Sequence, residues 1–114
     1  TLVQDSTLFI TLQERSNEIW KQKLTWIEAR EGMALVNVHP DYVAFGAKPD
    51  EDEYELRHYA EFLSWVKEHH LPHCWHALPR TVANFVRNQK TNTLTILAGG
   101  MVAEIAMCFV VRFS

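Results

Sequence analysis

Met33-Ala-Leu-Val-Asn-Val-His-Pro-Asp-Tyr42 decides the fold, because an almost unbroken apolar run delivers an imidazole, His39, into a loop opened by Pro40. Met33 to Val38 is apolar on both faces, which fits a strand inside a parallel sheet better than an edge. In open parallel sheets and in barrels, chemistry is done at the carboxyl ends of strands, and His39 falls at such an end. An imidazole there can be a general acid, a metal ligand or a substrate contact, and modest changes in surroundings select among these roles. A histidine that only hydrogen-bonds at a strand end fits the same spacing.

Upstream, Leu2 to Leu12 reads as a strand leading into a loop or as irregular structure. Ser16 is a candidate N-cap, with Glu18 in the first turn, for a helix that places Ile19, Trp20, Leu24 and Ile27 on one face. Gly32 suits the C′ position that ends it. Downstream, a polar loop runs through Ala47 to Glu53, and the spacing of Leu56, Tyr59, Ala60, Leu63 and Val66 predicts a second helix from about Glu53 to Glu68. Pro72 stops that helix. Cys74 to Leu78 reads as a short strand, and Pro79 opens a third helix holding Val82, Ala83, Phe85 and Val86. Strands alternating with helices give an α/β fold whose crossovers are long enough for parallel pairing.

From Thr91 to Val111 the only formal charge is Glu104, over about the ~20 residues that span a bilayer. A membrane span is disfavoured by Gly99-Gly100 in its middle and by Glu104, which costs roughly 2.5 kcal/mol or more at that depth. A final strand from Thr93 to Leu97, a Gly-Gly turn and an apolar strand or helix from Met101 to Phe113 explain the same letters.

The 114 residues are 47% hydrophobic and 22% charged, with a net charge of −3, which reads as one small globular domain. The mild acidity argues against a nucleic-acid surface, since no Lys/Arg stripe is present to displace counterions from phosphates. Cys74 and Cys108 are too few for a disulfide framework and fit buried thiols in a reducing, cytoplasmic setting. No secretory signal opens the chain. It begins at Thr1 already inside an extended apolar pattern, which reads as a piece of something longer.

Several constellations compete for function. His69, His70, His73, Cys74 and His76 form the densest group of potential metal ligands, but no pair has finger or ribbon spacing, and a solvated helix end explains the cluster. Asp50 to Glu53 fits loop solvation and charge complementarity at a helix N-terminus. Glu14, Glu18 and Glu28 have no paired acid/base arrangement, Gly99-Gly100 lacks the spacing of a phosphate loop, and serine-nucleophile motifs are absent. Asp5 and His39 carry more, because neighbouring parallel strands would bring both to one rim. A carboxylate there orients an imidazole and favours its protonated form, the arrangement a catalytic acid needs.

Thr1-Leu-Val-Gln-Asp-Ser-Thr-Leu-Phe9, Ile19-Trp20 with Lys23-Leu24 and Trp26-Ile27, Gly32-Met-Ala-Leu35, His39-Pro-Asp-Tyr42, and Trp75-His-Ala-Leu-Pro79 with Val82-Ala83 follow in that order. Together they resemble the carboxyl-terminal part of bacterial polysaccharide deacetylase-like proteins, over roughly residues 1–88, with residues 89–114 outside the resemblance. It implies a distorted (β/α) barrel of parallel strands alternating with helices, whose members remove N- or O-acetyl groups from sugars using a divalent metal, usually zinc, and water. It further implies that Leu35 or Val36 lines an acetyl pocket, that His39 is the general acid tuned by Asp5, and that Asp41 and Tyr42 lie on the carbohydrate substrate's side of the loop. The family's Asp-Asp pair and His-x-x-x-His metal motif have no counterpart here, so the metal ligands are expected outside this chain.

The expectation is therefore a C-terminal barrel fragment that carries its late-strand acid, needs the N-terminal part of the barrel, and is inactive alone. In the intact enzyme the resemblance implies metal-activated water attacking the acetyl carbonyl, an upstream Asp taking its proton, and His39 protonating the leaving amine or alcohol. The alternative is a non-catalytic α/β interaction module that binds a partner through Trp20, Trp26 and Trp65.

Overall fold

The computed structural model describes residues 1–46, 48–96 and 108–113, with side chains for 1–46 and 48–88. The chain is mixed α/β. A π-helical turn, Ser6–Thr11, precedes α1 (Glu18–Glu28) and β1 (Met33–Val38). A 3₁₀ turn, Pro40–Tyr42, leads to β2 (Val43–Ala44), β3 (Tyr54–Glu55) and α2 (Leu56–His69). A second 3₁₀ turn, Leu71–His73, then β4 (Trp75–His76), α3 (Pro79–Ile96) and β5 (Cys108–Phe113) complete the order. One sheet is parallel in the order β1-β5-β4, with Met33 opposite Cys108 and Val38 opposite Phe113. A second, two-residue parallel pair sets Val43 opposite Tyr54 and Ala44 opposite Glu55.

The expected strand Met33 to Val38 forms as read, but its two faces differ. Ala34, Val36 and Val38 are buried with Trp20, Leu24 and Ile27 of α1 and Phe62 and Val66 of α2 in one core. Met33, at 53% exposed, and the half-buried Leu35 and Asn37 occupy the other face. Strand alternation carries His39, in extended backbone, onto that same side. Trp20 is the centre of the core: it is fully buried, its ring lies 5.0 Å from Phe62 and 5.2 Å from Phe9, and its Nε1–H donates to the Val3 carbonyl at 2.6 Å. That bond, with Leu2 N–H donating to the Leu35 carbonyl at 2.9 Å, ties the first residues to α1 and β1.

Five expectations change. Leu2 to Leu12 is not a strand, since Ser6–Thr11 coils into a π-helical turn in which Leu12 N–H reaches the Thr7 carbonyl, burying Leu8 and Phe9. Helix α1 starts after Asn17 rather than Ser16, and Asn17 spends its side-chain amide on the His58 carbonyl at 2.9 Å instead of capping. The left-handed residue that ends α1 is Glu31 (φ 52°), not Gly32; Glu31 N–H bonds the Glu28 carbonyl and Gly32 N–H the Ile27 carbonyl, a Schellman closure. Helix α2 begins at Leu56, because Tyr54 and Glu55 are held extended against β2, and its buried stripe is His58, Tyr59, Phe62 and Val66, leaving Ala60 exposed. Helix α3 runs through Ile96, so Thr93 to Ile96 is helix rather than strand. The expected Gly99-Gly100 turn and Glu104 lie outside the described residues. Among the described residues, no helix is long and apolar enough to cross a membrane.

Candidate functional site

Asp5 and His39, 34 positions apart, meet. The turn that follows Asp5 points its carboxylate at the end of β1, where the chain leaves the strand through His39 and Pro40. His39 Nδ1 lies 2.6 Å from Asp5 Oδ1, and the His39 backbone N–H donates to Oδ2 at 2.8 Å. A third donor arrives from β3, where the Tyr54 hydroxyl reaches Oδ2 at 3.1 Å. Asp5 is 0% exposed. A carboxylate removed from water is tolerable only when its oxygens are bonded, and three donors meet that need here.

The geometry assigns the imidazole's roles. An ionised Asp5 only accepts, so Nδ1 carries the proton and Nε2 is the ring nitrogen left for another group. The His39 side chain is 25% exposed, and the Tyr42 ring meets it edge-on at 5.7 Å. Burial pushes the Tyr54 phenol far above its ordinary range, with the Asp5 charge adding to the effect. Burial likewise raises Tyr59, again helped by Asp5. A phenol held in its neutral form remains a donor, which suits a buried carboxylate.

The other expected site residues are placed as follows. Leu35 lies on the His39 side of β1 and lines an apolar cavity of about 490 Å³ with Met33, Pro79, Val82 and Val86. Val36, the alternative for the acetyl pocket, is fully buried in the core on the opposite face. Asp41 is exposed in the 3₁₀ turn, and Tyr42 is half-buried beside His39. Tyr54 carries no local signal in the sequence, because its partner is 49 positions away and it stands between an acidic loop and a helical pattern.

The remaining clusters divide. Glu53 Oε2 accepts from Asp50 N–H, so the acidic run folds onto itself. His69 donates from Nδ1 to the Trp65 carbonyl at 2.9 Å, and His73 and His76 are exposed. His70 is not solvated as expected: it is buried, packs edge-on against Trp65, and its Nδ1 lies 2.7 Å from Glu28 Oε2, out of line for a hydrogen bond. Cys74 is half-buried rather than buried. Among the described residues, no three His, Cys, Asp or Glu side chains come together as a metal ion would need. Of the three tryptophans expected at a partner surface, Trp20 is wholly internal, Trp65 is half-buried against Phe62, His69 and His70, and Trp26 is 49% exposed with Lys23 and Arg30 over its ring.

No protein family, curated protein or solved structure matches this chain.

Proposed function

We propose that this chain supplies the general acid of a carbohydrate deacetylase, with His39 as the acid and Asp5 as its orienting carboxylate. The observation that carries the reading is the 2.6 Å contact between a fully buried Asp5 and the ring of a histidine at a strand's carboxyl end. When the acetyl group departs, the bond from its carbonyl carbon to the sugar nitrogen or oxygen breaks, and protonated His39 delivers the Nε2 proton to that leaving atom. Asp5 holds the ring and stabilises the imidazolium before transfer, while Leu35, on the same face, is the residue placed to meet the acetyl methyl. Asp41 and Tyr42 border the approach to His39 and are assigned to the carbohydrate. The described residues do not fit the divalent metal that the family resemblance implies, and what they contribute is the acid. The distorted (β/α) barrel belongs to this proposal; the parallel β1-β5-β4 sheet and the apolar, half-covered side of β1 are compatible with it.

The test is to read the coding sequence upstream of Thr1 and to express the chain with whatever lies there in frame. An extension with an Asp-Asp strand end and His-x-x-x-His, releasing acetate from acetylated oligosaccharides, supports the proposal. His39→Ala then lowers turnover by about 10²–10⁴. Unchanged turnover removes His39 from the mechanism. An upstream start codon near Thr1 favours the non-catalytic interaction module instead, for which exposed Trp26 and Met33 are the available contacts.

A further inference from the structure

The geometry points to Tyr54 as the positioning residue of the Asp5–His39 pair. Among the described residues, Asp5 Oδ2 receives two donors, the His39 backbone N–H at 2.8 Å and the Tyr54 hydroxyl at 3.1 Å, whereas Oδ1 receives only His39 Nδ1. The two oxygens therefore do different work. Oδ2 is pinned from two directions, which fixes rotation about the carboxylate's own bond and aims Oδ1 at the imidazole. Without the phenol, one backbone N–H holds Oδ2, and the carboxylate can swing in the space the hydroxyl vacates.

Tyr54 is itself held for this purpose. Its backbone pairs with Val43 of β2, just past the His39 loop, so one strand contact fixes both ends of the site. Its ring stacks on Phe9 at 4.4 Å and 26°, and Phe9 lies in the turn that begins after Asp5. Tyr54 is buried, and the Asp5 charge beside it opposes ionisation, so it keeps the proton it donates. Packing alone does not require the hydroxyl, because phenylalanine would preserve the ring stack. The hydroxyl's role is the orientation of Asp5.

The catalytic consequence rests on His39 being the acid proposed above; the positioning role does not, and it is read without turnover. The Nδ1 proton of a short imidazole–carboxylate bond gives a far-downfield proton resonance, and its solvent exchange reports how well the acceptor is held. In the full chain, Tyr54→Phe is expected to speed that exchange roughly tenfold, the factor one lost hydrogen bond to a charged group gives, with the amide fingerprint otherwise retained. Unchanged exchange in a folded Tyr54→Phe protein overturns the assignment. Should that variant unfold, 3-fluorotyrosine placed at position 54 gives the same test with opposite sign, because it is a stronger donor of nearly the same shape. Slower exchange supports the role, and unchanged exchange overturns it. In the upstream-extended protein, Tyr54→Phe should lower kcat with KM unchanged. Faster exchange in a protein that never deacetylates would keep Tyr54 in this role and remove the deacetylase reading.

Discussion

At Asp5, one buried charge depends on three donors, so deleting it strands two of them inside the protein. Asp5→Ala leaves the Tyr54 hydroxyl and the His39 N–H without an acceptor, and each buried unsatisfied group costs about 1–3 kcal/mol. The expected loss is about 3 kcal/mol in urea unfolding, and a loss under about 1 kcal/mol would mean the carboxylate is not held as described. His58 gives a pH signature. Its ring is buried against Phe9 at 5.2 Å, and burial, then the Arg57 charge, lowers its pKa below 6.5. Below that value the unfolded chain binds the proton that the folded protein resists, so this contribution is fully present above about pH 6.5 and is lost as pH falls through the window beneath it. His58→Phe should flatten the fall of the urea midpoint in that window, and an unchanged slope would count against the burial of His58. The sequence offered Asp5 and His39 as a pair on the expectation that two parallel strands end at one rim. The two do meet, but Asp5 arrives from the start of a π-helical turn and not from a strand. Tyr54, His58 and His70 could not be found that way, since burial has no local signature.

Among the elements, α1 and β1 are the most legible. Trp20, Leu24 and Ile27 at helical spacing, and Ala34, Val36 and Val38 at strand spacing, become the two faces of the core. The ends were less legible, because caps depend on competing partners. Asn17 has a cap's chemistry but is drawn to the His58 carbonyl, and the Schellman turn places its left-handed residue at Glu31, one position before the glycine. Glu31→Gly should therefore stabilise the protein by about 0.5–1 kcal/mol, read from the urea midpoint, because the Cβ strain of the left-handed region disappears. Gly32→Ala should do the reverse, since a Cβ there would come 3.0 Å from Ile27 Cγ2. Trp20 joins elements as well as filling space. Trp20→Phe removes both the bond to Val3 and part of the ring packing, and a loss of about 2–3 kcal/mol is expected. Faster exchange of the His39 Nδ1 proton should accompany it, because Val3 stands two residues from Asp5.

For the whole molecule, the unequal faces of β1 matter most. One side is closed by α1 and α2, while the other presents Met33 and Leu35 at an apolar cavity bordered by α3. By the described residues this apolar face is only partly covered, which favours association, so Met33→Lys should reduce the concentration dependence of the sedimentation coefficient; an unchanged dependence would mean that this face does not associate. By itself the sequence determined the α/β alternation, the strand that ends at His39, the three helices and the core stripe of α1, because periodicity and breakers act over a few residues. It also singled out Asp5 and His39 as candidate partners, which do meet across 34 positions, although it expected Asp5 on a strand and the structure sets it at the start of a π-helical turn. Only the tertiary structure decided that Asp5 is wholly buried, that Tyr54 completes its shell, that Tyr54 and Glu55 are strand rather than helix, and that Leu35, not Val36, shares the face of His39. Each of those outcomes depends on which distant group reaches a position first, a competition among hydrogen-bond partners and packing volumes that neighbouring residues in the chain do not encode.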